Sequence, residues 1–342
     1  MTRTVMVFVA VACLFASAGA ALAQDGESRI AQARKAVERS LPFIEKEGVA
    51  WMKKQKCVSC HHIPMMVWAL SEARNRGYRS DEKVLVEVTR WATTEENYAQ
   101  VFPVLPLDAK RSETDYLGPL LMALALAASP DHDEATEKAR QQFLARAVSQ
   151  QANDGSWDAN RGGRPPIHAA QEVQTSWVFL ALGGKEIQPE AKDRWRRQRK
   201  AAADWLSQNL PAENPQALAM RLLIYERLGK PAEDAKNLVE SLLQLQNTDG
   251  GWSQTKEMNS DAFATGLSLY ALSAESGVDS QDAVNRGQAF LIKTQQADGS
   301  WPMSSRPAEP RGPGPARNLG PIRYFATSWA TIGLARSAPA TK

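Results

Sequence analysis

The sequence is poor in cysteine: three in 342 residues cannot form a disulfide scaffold. It also lacks an excess of either charge. Its 41 basic and 38 acidic residues leave a net charge of +3, which gives no whole-protein reason to expect nucleic acid or an anionic membrane as partner. Long hydrophobic runs are missing too. Val5 to Phe15 is too short to span a bilayer, and no later stretch is long and apolar enough for stable membrane insertion. Strand signals are scarce, with few β-branched runs and no alternating segments. What is present, 43% hydrophobic and 23% charged residues, suits a globular protein and argues against a disordered, fibrous or multi-span one.

The amino terminus reads as an export signal. Arg3 supplies a positive n-region, Val5 to Phe15 an apolar core, and Ala21-Leu22-Ala23 a small-residue cleavage site. Residues 1–23 are expected to be removed, leaving Gln24 first in a periplasmic or secreted protein. Cys13 leaves with them. It is a poor lipidation site, because the apolar run continues past it and Ala10 stands three places before it. The mature chain keeps only Cys57 and Cys60.

The mature chain repeats. QANDGSW (Gln151–Trp157), QNTDGGW (Gln246–Trp252) and QQADGSW (Gln295–Trp301) share one Q-x-x-x-G-x-W pattern. Trp157 and Trp252 lie 95 residues apart, about two units of the 49 separating Trp252 from Trp301. Helical patterns fill the gaps over 28–54, 63–76, 81–98, 115–128, 133–151, 169–182, 191–208, 215–228, 231–246, 261–276, 281–296 and 322–336. Gly77, Gly183, Gly229 and Gly277 follow apolar helices, where a left-handed residue is expected. Asn214-Pro215 reads as an N-cap followed by proline at the first helical position.

These helices are of two kinds. Residues 117–128 (LGPLLMALALAA) are apolar all round and must be buried, whereas 191–208 and 231–246 carry a charged face and an apolar stripe. Outer and inner helices alternate six times. The predicted fold is all-α, an (α/α)6 barrel of six outer–inner hairpins, with residues 24–342 forming one domain. Inner-to-outer links are short, but the outer-to-inner links 99–114, 152–168, 247–260 and 297–321 are long. Alternation puts all the long links on one rim, where sites usually form on a rigid scaffold.

The repeats resemble the QW repeats of the squalene-cyclase and protein-prenyltransferase β-subunit superfamily of α/α toroids, most closely in RGQAFLIKTQQADGSW (286–301). Their expected role is structural. Gln would bond free backbone groups at a helix end, Asp-Gly would make the turn, and Trp would pack over the junction. The family's chemistry does not follow. The nearest string to the cyclases' D-x-D-D is Asp131-His132-Asp133-Glu134, which reads as an acidic helix start on the opposite rim. No cysteine lies beyond Cys60, so the prenyltransferase zinc site cannot be built in its family position, and the C-G-E-Q motif of the related thioester proteins is absent.

The first unit carries CVSCHH (57–62) instead. Reading Gly48, Trp51 and Met52 onto Gly287, Phe290 and Leu291 sets Lys56 on Gln295, Cys60 on Gly299 and His62 on Trp301. The cysteine motif therefore replaces the QW turn at the start of inner helix 63–76. C-x-x-C-H is the attachment signature of one covalent haem c: Cys57 and Cys60 reach the two vinyl groups as thioethers, and His61 is the proximal iron ligand. A disulfide, a zinc or other metal site, and no cofactor at all are the alternatives. For the second iron ligand the candidates on the long-link rim are His168, Met258 and Met303. Met65 and Met66 follow His61 by one turn and lie on its own side.

Three functions remain open. The first is an exported toroid with a haem c at the barrel mouth, serving electron transfer or haem-assisted redox chemistry with a redox partner protein. The second is a terpenoid-cyclase or prenyltransferase-like enzyme acting on an apolar substrate in the central cavity, with Glu113, Asp115, Glu172 and Asp261 at inner-helix starts as its candidate acids. The third is a non-catalytic module binding a small apolar ligand or a partner. The run Arg194–Lys200 reads as a solvated outer face covering Trp195.

Overall fold

The computed structural model describes residues 4–58, 62–100, 117–130, 133–158, 170–183, 189–209, 211–228, 232–273, 280–304 and 319–340. Among them every regular element is a helix. In chain order the hairpins are α1 (Thr4–Gln55) with α2 (Ile63–Asn75), α3 (Glu82–Thr93) and its extension α4 (Glu95–Ala99) with α5 (Leu117–Ala128), and α6 (Glu134–Val148) with α7 (Gln171–Ala181). Then follow α8 (Pro189–Gln208) with α9 (Pro215–Arg227), α10 (Ala232–Gln244) with α11 (Ala262–Leu272), and α12 (Gln281–Thr294) with α13 (Leu319–Ser337). The second helix of each pair packs on that of the next, from α2 through α5, α7, α9 and α11 to α13, and α13 returns to α2. That closed inner ring, with the first helices outside it, is the expected (α/α)6 toroid.

Burial follows the sequence pattern. Every residue of α2 from Ile63 to Ala73 is buried, as is α5 from Leu120 to Leu126. On α8, Trp195 is fully buried while Arg196, Arg197 and Lys200 are exposed. Two glycines let α11 and α13 approach closely, because a Cβ at Gly266 or Gly333 would strike the facing helix backbone. Among the described residues, aromatic side chains of four inner helices meet around Trp329. Trp329 on α13 lies 5.2 Å from Trp68 on α2, 5.8 Å from Trp177 on α7 and 6.0 Å from Tyr270 on α11, centroid to centroid. Each such ring removes roughly 150–250 Å² from water, or about 4–6 kcal/mol at ~25 cal/mol per Å². The hub is therefore core.

Helix starts show the expected caps. Asn214 accepts from the Ala217 amide at 3.0 Å with Pro215 next, and Asp133 accepts from the Thr136 amide at 2.7 Å. The Thr136 hydrogen bonds hold the Asp133 carboxyl below its usual range. Some expectations are corrected. The helix over 81–98 breaks at Thr94, whose extended backbone (ψ 125°) separates α3 from α4. Helix α1 begins at Thr4 rather than at 28. Gly77 is left-handed (φ 88°), but Gly183 is not, although the amides of both close a turn onto the carbonyl three residues back. Gly229 and Gly277 lie outside the described residues. No described helix is long and apolar enough to cross a membrane.

Candidate functional site

The three QW turns set the standard against which the first hairpin stands out. In each, the Gln side-chain amide donates to the turn glycine's carbonyl and to a carbonyl of the next outer helix. Gln151 reaches Gly155 and Gln198 (both 2.9 Å), Gln246 reaches Gly250 and Ala283 (both 2.8 Å), and Gln295 reaches Gly299 (3.0 Å) and Ala36 (2.8 Å). The Trp backbone amides donate to inner-helix threonines: Trp157 to Thr175, Trp252 to Thr265 and Trp301 to Thr327, at 2.9–3.0 Å. The indole N–H groups close onto the carbonyls of Ala147, Leu242 and Leu291.

Gly155, Gly250 and Gly299 are left-handed, and a Cβ on any of them would strike the carbonyl oxygen of Ala201, Arg286 or Arg39 on the next outer helix. Asp154 and Asp298 cap their turns through the Ser156 and Ser300 hydroxyls and amides, which hold both carboxyls below the usual range. These motifs are staples between neighbouring hairpins.

The first hairpin is built differently. Helix α1 ends at Gln55, and Lys56 takes a left-handed conformation (φ 48°) in the place of a staple Gln. Cys57 is half-buried and Val58 is wholly buried. Four residues on, His62 is buried at the start of α2, in the place of a staple Trp. Its imidazole lies between two aromatic rings: Trp51 of α1 is nearly parallel at 4.1 Å (4°), and Tyr324 of α13 stacks on it at 4.2 Å (26°). The Tyr324 hydroxyl donates to the Ile44 carbonyl at 3.0 Å, tying α13 to α1, and burial raises its pKa well above the usual phenol value. Gly48 makes room here, since a Cβ would run into Met66 and the Tyr324 hydroxyl. Val58 and His62 are thus buried on either side of residues 59–61. Cys60 and His61 lie outside the described residues.

Beside the sandwich opens a pocket of about 180 Å³. Phe43, Glu47 and Trp51 of α1 form one wall, His62 lies at its base, and the first turn of α13 with Arg323 and Tyr324 forms the other. The Arg323 guanidinium stacks 5.0 Å above the Phe43 ring and reaches Asp298 at 3.4 Å. Sequence reasoning placed His62 at a staple-Trp position but missed its partners. Tyr324 and Arg323 are more than 260 residues away in the chain, with no motif to link them.

The other candidates among the described residues do not line this pocket. Glu172 is buried and ion-paired to Arg221 of α9 at 2.9 Å, and its second oxygen accepts the Ala212 amide at 2.9 Å. Arg221 also donates to the Leu206 and Asn209 carbonyls, so the pair clamps the α8–α9 link. Asp261 caps α11, accepting from the Ala264 amide at 2.8 Å and from the Gln254 amide group at 2.6 Å. Met303 is buried and Met258 half-buried; neither lines the pocket. Met65 and Met66 are core residues. Glu113, Asp115, His132 and His168 lie outside the described residues. No group of three or more His, Cys, Asp or Glu suited to a metal ion occurs among the described residues.

No protein-family model matches the chain, and no curated protein matches it in sequence. Solved structures do match in fold. The type II terpene cyclase MstE from Scytonema, solved with its substrate geranylgeranyl dihydroxybenzoate, is 14% identical with a TM-score of 0.59, over 92% of this chain and 99% of that one. A polysaccharide lyase is 11% identical with a TM-score of 0.56, over 90% and 96%. The chain shares the α/α toroid fold with both. At such identities the likeness is one of fold.

Proposed function

We propose that this protein is an exported α/α toroid carrying one haem c, attached through Cys57 and Cys60 with His61 as proximal iron ligand, and used for electron transfer or haem-assisted redox chemistry with a protein redox partner. One observation carries the reading. Of the three hairpins without a QW staple, the first carries C-x-x-C-H in its place, with Val58 and His62 buried on either side of residues 59–61 and an aromatic-walled pocket beside His62.

The residues fit such a group. Lys56 takes a left-handed conformation at the end of α1, Cys57 is half-buried, and the Trp51–His62–Tyr324 stack holds the residue that follows the proposed ligand. Attachment needs no oxidant: each thiol adds across a vinyl group, the sulfur bonding one carbon and the proton going to the other. When bound, the haem supplies a one-electron couple at the rim. Export is part of the proposal. The described inter-helix contacts of α1 begin at Arg29, which bonds Gln288 and Asn285 of α12, so loss of residues 1–23 spares them.

The cyclase-like reading finds less support. Aromatic rings from α2, α7, α11 and α13 contact one another, and the described candidate acids Glu172 and Asp261 are held in structural roles. The test is a pyridine haemochrome spectrum of protein exported from a host with haem-attachment machinery. A c-type band is expected. Its absence, with both thiols titratable, would overturn the reading.

A further inference from the structure

We infer that the pocket between α1 and the first turn of α13 binds a small zwitterion, an amino acid with a flat apolar side chain, its carboxylate on Arg323 and its ammonium on Glu47. The site does not depend on the haem reading. Its lining comes only from α1, the N-cap of α2 and the first turn of α13.

Size and walls set the body of the guest. A dry cavity of about 150 Å³ holds one benzene ring, and this one has about 180 Å³. Phe43, Trp51 and Tyr324 supply its apolar walls. Trp51 and Tyr324 are stacked against His62, and the Tyr324 hydroxyl is bonded to the Ile44 carbonyl, so these walls are held in place. A flat side chain enters a space that is already formed, which lowers the cost of binding.

Two charged groups set its head. Arg323 and Glu47 line the same cavity with opposite signs. Arg323 pairs with Asp298 at 3.4 Å, but those side chains are 44% and 48% exposed, and such a pair holds little. Glu47 has no ion pair among the described residues. Burial raises the Tyr324 phenol pKa and the charge of Glu47 adds to it, which places that carboxylate near the Tyr324 wall. The positive end of α13 lies on the Arg323 side, where Gly320 and Pro321 line the cavity. The α13 wall therefore favours an anion and Glu47 a cation. An organic acid alone would leave Glu47 unmatched, and an amine alone would leave Arg323 unmatched. A guest with both groups meets both through charge-assisted hydrogen bonds.

The test is equilibrium dialysis of the exported protein against three ligands of one body: L-phenylalanine, 3-phenylpropanoate, which lacks the ammonium, and phenethylamine, which lacks the carboxylate. L-phenylalanine should bind about tenfold more tightly than either, as one charge-assisted hydrogen bond implies. Arg323→Gln should weaken L-phenylalanine and 3-phenylpropanoate about tenfold and leave phenethylamine unchanged. Glu47→Gln should weaken L-phenylalanine and phenethylamine and leave 3-phenylpropanoate unchanged. Arg323→Lys, which keeps the charge, should retain most of the affinity. Arg196→Gln, an exposed change on the outer face of α8, should have no effect. No binding of L-phenylalanine at millimolar concentration, equal binding of all three ligands, or folded pocket variants that bind like the wild type would overturn the inference. Should a variant not fold, the three-ligand comparison on the wild type decides.

Discussion

The hairpin turn at 295–301 and the one at 56–62 occupy equivalent places in the ring but solve different problems. The first is a network of hydrogen bonds within the turn and to its neighbours. Gln295 bridges to Ala36, Trp301 closes onto Leu291 and Thr327, and Asp298 caps its own turn. The second has no such Gln, Asp or Trp in its sequence, and its described residues include the buried Val58 and the ring-stacked His62. The ring tolerates this because α1 is gripped elsewhere: Tyr324 bonds Ile44, and the Ser40 hydroxyl meets that of Thr331 at 2.7 Å. The ring closes with staples in only three of its six hairpins.

The contrast can be broken by substitution. Trp301→Ala empties a fully buried site and removes the indole hydrogen bond to the Leu291 carbonyl, and should cost about 3–5 kcal/mol in urea unfolding. Glu172→Gln tests whether that acid belongs to the scaffold. Leaving Arg221 buried without its counter-charge should cost about 3 kcal/mol, with a double variant to apolar residues recovering most of it. His62→Ala should cost less than the tryptophan, about 1–3 kcal/mol from two lost ring contacts. A larger loss for His62 than for Trp301 would mean that the first turn is the stronger staple, contrary to the account.

The smallest effect is that of acid. Asp154 and Asp298 have folded pKa values below the ordinary ~3.9, so their caps contribute stability above that value and lose it as the pH falls through the depressed folded values. Unfolding midpoints should therefore drop below about pH 4. The drop should be smaller in Asp154→Asn and Asp298→Asn variants, while the first hairpin, with Ser59 at the corresponding place, contributes nothing to it.

Much of this was legible beforehand. The QW period and the alternation of apolar and amphipathic helices implied a six-hairpin ring, and the offset that set His62 on Trp301 identified a buried position. What stayed hidden was whatever depends on the ring closing. The Trp329 hub joins side chains of α2, α7, α11 and α13, and Tyr324 reaches His62 across the seam between the last inner helix and the first hairpin. Glu172 looked like an ordinary helix-start acid because its partner, Arg221, sits 49 residues on in the middle of another helix. The break at Thr94 and the ordinary turn at Gly183 turn on local backbone geometry that periodicity does not encode.

The most direct measurement is the intact mass of the exported protein beside that of a Cys57→Ser, Cys60→Ser double variant. The account predicts that the wild type weighs one haem more than the polypeptide lacking residues 1–23 and that the variant has the bare polypeptide mass. A wild type that also has the bare mass, after maturation in a host that attaches haem to other proteins, would contradict it.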